Sequence, residues 1–158
     1  MPAEIPSADG PQRLIDRTAF HVYKLGQLIF QGAEEQLSGL SLNARTYFIL
    51  AGVESGTGQV SQQDLSRMFD IDPTTIVGLV DELERAGFLE RRRSAQDRRR
   101  YDLHLTSAGA RSLADAHQIM EKIEADFLSP LPPSELRRYQ ALSKKVLDRH
   151  WPPSSGRS

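Results

Sequence analysis

The stretch from Ser61 to Gly87 constrains this chain more tightly than any other part of it. Ser61-Gln62-Gln63-Asp64 has the layout of a capping box, with a hydroxyl at the cap and an acid three residues on. The helix it opens is short, turns Leu65 and Met68 inward, and runs to about Phe69. Asp72-Pro73 then starts a second helix, because Asp accepts from free N–H groups at a helix start and Pro needs no donor there. Ile76, Leu79, Val80 and Leu83 give that helix an inward stripe, and Gly87 after Arg85-Ala86 ends it. A short helix, a tight turn and a longer second helix form the body of a helix-turn-helix.

Next along the chain comes a hairpin. Phe88-Leu89-Glu90-Arg91 reads as a strand, Ser94-Ala95-Gln96-Asp97 as a turn, and Arg100 to Leu105 alternates large and polar residues. A hairpin in this place is a wing. Before the motif, Leu14, Thr18, Val22, Leu25 and Ile29 predict a helix from about Arg13 to Leu37, broken at Gly39-Leu40. Ser41 is the expected cap of the next helix, with Ala44, Tyr47, Phe48, Leu50 and Ala51 on its core side. It stops before the loop Glu54-Ser55-Gly56-Thr57-Gly58. After the hairpin, Thr106 caps a helix from Ser107 to Leu128, Ser129 to Pro133 interrupts, and a last helix runs from Pro133 to Arg149. The expected fold is mainly α with a small β-hairpin wing. A winged helix-turn-helix core spans 41–106, and terminal helices over 13–40 and 107–149 form a dimerisation domain. Residues 1–12 and 150–158 read as disordered tails.

The run from Thr75 through Glu82-Leu83-Glu84-Arg85-Ala86-Gly87-Phe88-Leu89, then Asp97-Arg98-Arg99, then Leu103-His104-Leu105-Thr106-Ser107-Ala108-Gly109 resembles the MarR family of multiple antibiotic resistance regulators. The resemblance covers roughly Arg13 to Arg149. It implies a dimer with intertwined terminal helices, one winged helix per subunit, and repression of transcription relieved by a ligand.

Charge agrees with that only locally. The net charge is −1 with a pI near 6.4, yet Arg91, Arg92, Arg93, Arg98, Arg99 and Arg100 crowd into one stretch. Such a cluster binds phosphate even in a chain that is neutral overall. The second helix is the candidate reader of the major groove, through Pro73, Thr74, Thr75, Val77 and Gly78. Thr hydroxyls bond base edges or phosphates, and Thr and Val methyls meet a thymine methyl. Many members of the family carry polar or basic residues where Val77 and Gly78 stand, which implies modest base readout. By the same resemblance Arg99 enters the minor groove from the wing, with Arg98 beside it. Asp97 braces the tip, and Arg91, Arg92 and Arg93 contact phosphates. Ser61 and Gln62, and then Ser41 and Arg45, are further phosphate candidates near helix starts.

A single copy offers few base contacts, each worth about 1–3 kcal/mol at best, so two copies on a palindrome are expected. The terminal helices have more apolar surface than the winged core covers, and a twin would bury it; the alternative is a monomer with a larger bundle. The family places a small-molecule pocket between the dimer helices and the winged core. Phe20, His21, Val22, Tyr47, Phe48, Leu50 and His117 are its candidate lining, with Tyr and His suited to a phenolic or carboxylate effector.

Several classes are disfavoured. Cysteine is absent, which excludes disulfides, thiol switches and thiolate metal sites. His21, His104, His117 and His150 show no metal-ligand spacing, and no cofactor is expected. No P-loop, GxGxxG, GxSxG or paired-carboxylate constellation points to an enzyme, and Asp81, Glu82 and Glu84 read as a solvated face. No apolar run reaches the roughly 18 residues of a membrane helix, and the start of the chain lacks a signal-peptide layout, so a cytoplasmic protein is expected. The alternative to a DNA-binding regulator is a winged helix serving only protein contacts, which has no need of so many wing cations.

Overall fold

The computed structural model describes residues 13–151; both expected tails lie outside the described residues, apart from His150 and Trp151. The order is α1 (Thr18–Ser38), α2 (Ala44–Ser55), α3 (Gln62–Phe69), α4 (Pro73–Arg85), β1 (Leu89–Arg93), β2 (Tyr101–Leu105), α5 (Ser107–Phe127) and α6 (Pro133–His150).

The motif helices start and stop where local chemistry dictates. Ser61 accepts from the Asp64 N–H while Asp64 receives the Ser61 N–H at 2.9 Å, so the capping box is closed. Asp72 accepts from the Thr75 N–H at 2.9 Å, with Pro73 at the first helical position. Gly87, at φ 76, takes the left-handed conformation that lets the Phe88 N–H reach back to the Leu83 carbonyl at 2.9 Å. β1 and β2 pair antiparallel from Leu89↔Leu105 to Arg93↔Tyr101, and Val60 bridges Leu103 on the outer side of β2.

Three expectations at the helix ends are corrected. Leu14–Asp16 is a 3-10 turn, and Arg17 is extended before α1 begins at Thr18. Leu14 and Ile15 are exposed, so no packing holds that turn in line with the helix. Ser41 does not cap α2. It sits at φ 57, and the Leu42 N–H bonds the Leu37 carbonyl at 3.0 Å, so Ser41 closes α1. Asn43 caps α2 instead, exchanging bonds with Thr46. Finally, His150 completes α6, and the Trp151 indole N–H donates to the Met68 carbonyl at 2.6 Å, so neither belongs to a free tail.

The core gathers Ile49, Leu50 and Val53 of α2, Leu65 of α3, and Ile76, Val80 and Leu83 of α4. Leu89, Leu103, Leu113, Ala116 and Met120 close it from the wing and α5, and Ala33 and Leu37 seal it from α1. Ile29 and Phe30 of α1 pack partly against it, while the earlier turns of α1 and all of α6 stay outside. Val22, Tyr23, Leu25 and Leu28 of α1, and Tyr139, Leu142, Val146 and Leu147 of α6, are exposed apolar side chains, and α6 buries no residue. No helix among the described residues is long and apolar enough to cross a membrane.

Candidate nucleic-acid interface

α4 buries Ile76, Leu79, Val80 and Leu83. Its opposite face carries Thr74, Val77, Gly78 and Asp81, at the i, i+3, i+4, i+7 spacing of one helical stripe. Pro73, Thr74, Val77 and Gly78 are exposed as the sequence suggests. Thr75 departs from that group. It is half-buried, and its hydroxyl and N–H both bond the Asp72 carboxylate. Its donor therefore serves the helix cap rather than a base edge. The same two bonds, side chain first, hold the Asp72 carboxyl below the usual carboxylate range.

The arginines of the wing divide into two kinds. Arg91, expected at phosphates, is committed to the fold. Its guanidinium bonds Asp81 at 2.5 Å, Glu84, and the Gln62 side-chain oxygen Oε1 at 3.4 Å, with only 22% of the side chain exposed. Asp81 and Glu84 are therefore the anchors of that arginine, not an idle solvated face. Arg100 is likewise tied, to Asp64 at 2.6 Å, Asp102 at 3.1 Å and the Gln59 carbonyl at 2.6 Å. Arg91 thus pins β1 to α4, and Arg100 pins the wing to the start of α3. Arg92 is exposed and pairs with Glu90, and the Arg93 guanidinium lies 5.8 Å from the Tyr101 ring centroid.

Arg98 and Arg99 behave differently. Both are exposed, and no ion pair engages either among the described residues. Asp97 braces the turn that presents them: its carboxylate accepts the Arg99 N–H at 2.9 Å, and its carbonyl accepts the Arg100 N–H at 2.9 Å. The Ser94 N–H closes the loop onto the Arg100 carbonyl at 2.9 Å. The tip is a hydrogen-bonded turn holding two cations with no ion-pair partner among the described residues.

The expected phosphate contacts at α3 are largely spoken for. The Ser61 side chain is buried and donates to Asp64 at 2.7 Å, and the Gln62 amide nitrogen is buried without a partner. Asp64 also receives Arg67 and Arg100 at 2.6 Å each. Partial burial works to raise its pKa, but the Ser61 bonds and the two arginines prevail and lower it. Ser41 is turned into the α1 ending, and Arg45 is exposed on the first turn of α2.

Of the expected effector lining, three residues meet. The Tyr47 hydroxyl lies 3.0 Å from His117 Nδ1, His117 Nε2 lies 3.1 Å from the Glu54 carboxylate, and Phe48 packs on Tyr47 at 5.4 Å. Burial, then Glu124, Glu54 and Glu121, raises the Tyr47 pKa. Phe30 and Glu54, which the sequence reading missed, complete the cluster. Phe30 meets Phe48 edge-on at 5.3 Å, and Glu54 stands seven residues after Tyr47, two turns on along one helix face. Leu50 is fully buried in the core and lines no opening. Phe20, His21 and Val22 stay apart, with Phe20 about 15 Å along α1 from Phe30 at the usual helical rise. Val22 is exposed and the His21 ring contacts the Ile15 carbonyl. A cleft of about 520 Å³ lies elsewhere, between Thr57-Gly58-Gln59 and the wing residues Arg92, Arg93 and His104. No cluster of three metal-ligating side chains exists among the described residues.

A MarR family model matches residues 38–100, the stretch holding the motif and most of the wing. A putative transcriptional regulatory protein for the hcr operon of Thauera aromatica is 31% identical over 136 residues, covering 80% of this chain and 82% of that protein. CouR from Rhodococcus jostii RHA1, solved with p-coumaroyl-CoA bound, superposes with a TM-score of 0.79 at 25% identity, over 90% of this chain and 97% of that one. A variant of MarR from E. coli, solved in complex with operator DNA, shares the fold with a TM-score of 0.72 at 22% identity, over 82% of this chain and 92% of that one.

Proposed function

This chain belongs to the MarR family of transcriptional regulators, and from that premise we propose that it is a cytoplasmic homodimeric repressor of a palindromic operator, released by a small phenolic or carboxylate ligand. The observation that carries the proposal is the pair of guanidinium groups at Arg98 and Arg99 with no ion-pair partner among the described residues, on a tip braced by Asp97 in the hairpin that follows α4. A cation already paired with a carboxylate gains little from a phosphate, whereas an unpaired one gains fully in the strong negative potential of a narrow minor groove. Arg99, with Arg98 beside it, is the minor-groove contact. Arg93 flanks it at the backbone, with Arg92 a weaker contact because Glu90 already pairs with it; Arg45 touches a more distant phosphate, and Pro73, Thr74, Val77 and Gly78 face the major groove.

Dimerisation is supported by the apolar side chains left bare on α1 and α6, which a second copy would cover across a twofold axis. The same axis sets two α4 helices about one DNA turn apart, roughly 34 Å. Ligand response is supported by the Tyr47–His117–Glu54 chain, which joins α2 of the reading unit to α5 of the dimer support. A ligand with a phenol or carboxylate competes for these groups, and it acts only in so far as it binds the two arrangements unequally. CouR, solved with an aromatic acyl thioester, offers a chemical hint.

Selection of bound fragments from genomic DNA, with a salt series on the winning duplex, tests the reading. A palindrome and a steep fall in affinity with salt are expected. A folded dimer that prefers no duplex over competitor at low ionic strength overturns it.

A further inference from the structure

The reading face of α4 is short of hydrogen-bonding groups. Thr75 spends its hydroxyl on Asp72, and Asp81 is neutralised by Arg91 at 2.5 Å. Over the first two turns the remainder is Thr74, an exposed Val77 and Gly78. Val77 leaves 43% of its surface bare, although α4 has a full core stripe of its own. Gly78 sits inside the helix with nothing within 4 Å of where a Cβ would stand, so no neighbour in the fold requires a glycine. Glycine is disfavoured inside helices, and the bare part of a valine gains nothing from folding. Neither residue is explained by packing within the chain.

Their chemistry selects a partner. Guanine is read by paired donors from Arg or Lys, and adenine by the amide of Asn or Gln. The exposed N-terminal half of this face, Thr74, Val77 and Gly78, has none of the four; Arg85 continues the stripe only at the last residue of α4. Thymine alone of the ordinary bases shows an apolar group, its C5-methyl, in the major groove. A missing side chain at Gly78 lets the helix backbone settle closer to the base edges than any other residue would.

Resting on the DNA-binding reading above, we infer that α4 reads thymine methyl groups through Val77 and the Thr74 methyl, with Gly78 providing the clearance. Each half-site carries thymines, on either strand, beneath these residues, and makes no strong demand for guanine there.

Uracil substitution isolates the methyl, because it leaves base pairing and every polar group unchanged. On the selected operator, replacing thymine by uracil one position at a time should weaken binding about fourfold at the positions under Val77, the equivalent of one buried methyl. Changing both half-sites together should weaken it about fifteenfold, as two such losses multiply. In Val77→Ala, which removes exposed methyls and leaves the core intact, the same uracils should have a reduced effect. Uracil under the wing, whose contacts lie in the minor groove, should leave affinity unchanged. Uracil operators bound as tightly as thymine operators overturn the methyl readout and leave the DNA-binding reading standing. Absence of any preferred duplex overturns both.

Discussion

Replacing Gly109 by alanine tests the joint at which the wing, α4 and α5 meet. Gly109 lies on the first turn of α5, where Thr106 caps the helix by accepting the Gly109 N–H at 3.0 Å. A Cβ there would stand 2.0 Å from the Phe88 carbonyl oxygen and 2.8 Å from its carbon. Ordinary C···O approaches are about 3.3 Å or more, so the two segments must part by over an ångström. Both atoms are backbone and cannot swing aside. The same carbonyl accepts the Thr106 N–H at 3.0 Å, and the Thr106 hydroxyl donates to the Gly87 carbonyl at 2.6 Å. Two hydrogen bonds worth about 1 kcal/mol each are therefore strained. Overpacking adds about 1–3 kcal/mol. Alanine returns at most about 1 kcal/mol of helix propensity. The expected net loss is about 2–4 kcal/mol. Gly78→Ala is the matched control: the same propensity gain with nothing to strike should stabilise by about 1 kcal/mol, or about 2–4 °C in Tm. Urea unfolding monitored by circular dichroism, at one fixed protein concentration because the proposed dimerisation would shift the midpoint, measures both. If Gly109→Ala unfolds at the same urea concentration as Gly78→Ala, α5 does not rest on the Phe88 backbone and the proposed joint is wrong.

Arg99→Ala should weaken operator binding at least tenfold while sedimentation still reports a dimer; an unchanged mobility-shift titration would remove the wing tip from the interface. Thr75→Ala loses a cap interaction, so it should cost about 0.5–1.5 kcal/mol in stability and lower affinity for operator and random duplex alike. A loss confined to the operator would return Thr75 to base readout. Asp64 has a lowered pKa, so the stability it lends is present above the unfolded carboxylate value of about 3.9 and is lost as pH falls through that value towards the lower folded one. Asp64→Asn should accordingly be less stable near neutral pH and should show a shallower acid decline below about pH 4. Parallel acid curves for the two proteins would show that Asp64 carries no such linkage.

Much of this protein is written in short-range chemistry. Ser61 with Asp64, Asp72 with Thr75, Asp97 with Arg99 and Gly87 after α4 all act within a few residues, and each was legible as a cap, a brace or a stop. Core stripes such as Ile76, Leu79, Val80 and Leu83 arise from helical period alone. Where local signals compete, order depends on a neighbour. Ser41 and Asn43 are both fair caps, and the packing of Leu37 and Leu42 assigns Ser41 to the end of α1.

The division of labour among the arginines belongs to tertiary structure. Sequence marks a run of like charges, but a charge is spent or free according to which carboxylate lies within about 4 Å of it, and that distance depends on topology. Arg91 meets Asp81 because β1 folds back along α4, and Arg100 meets Asp64 across a gap of 36 residues. Tyr47 meets His117 across 70 residues, and Trp151 meets Met68 across 83. A pattern that repeats every three or four residues carries no record of contacts so remote. Sequence alone therefore determined the helices, the wing and the run of cations on it, and only the folded chain decided which of those cations were left without a carboxylate partner.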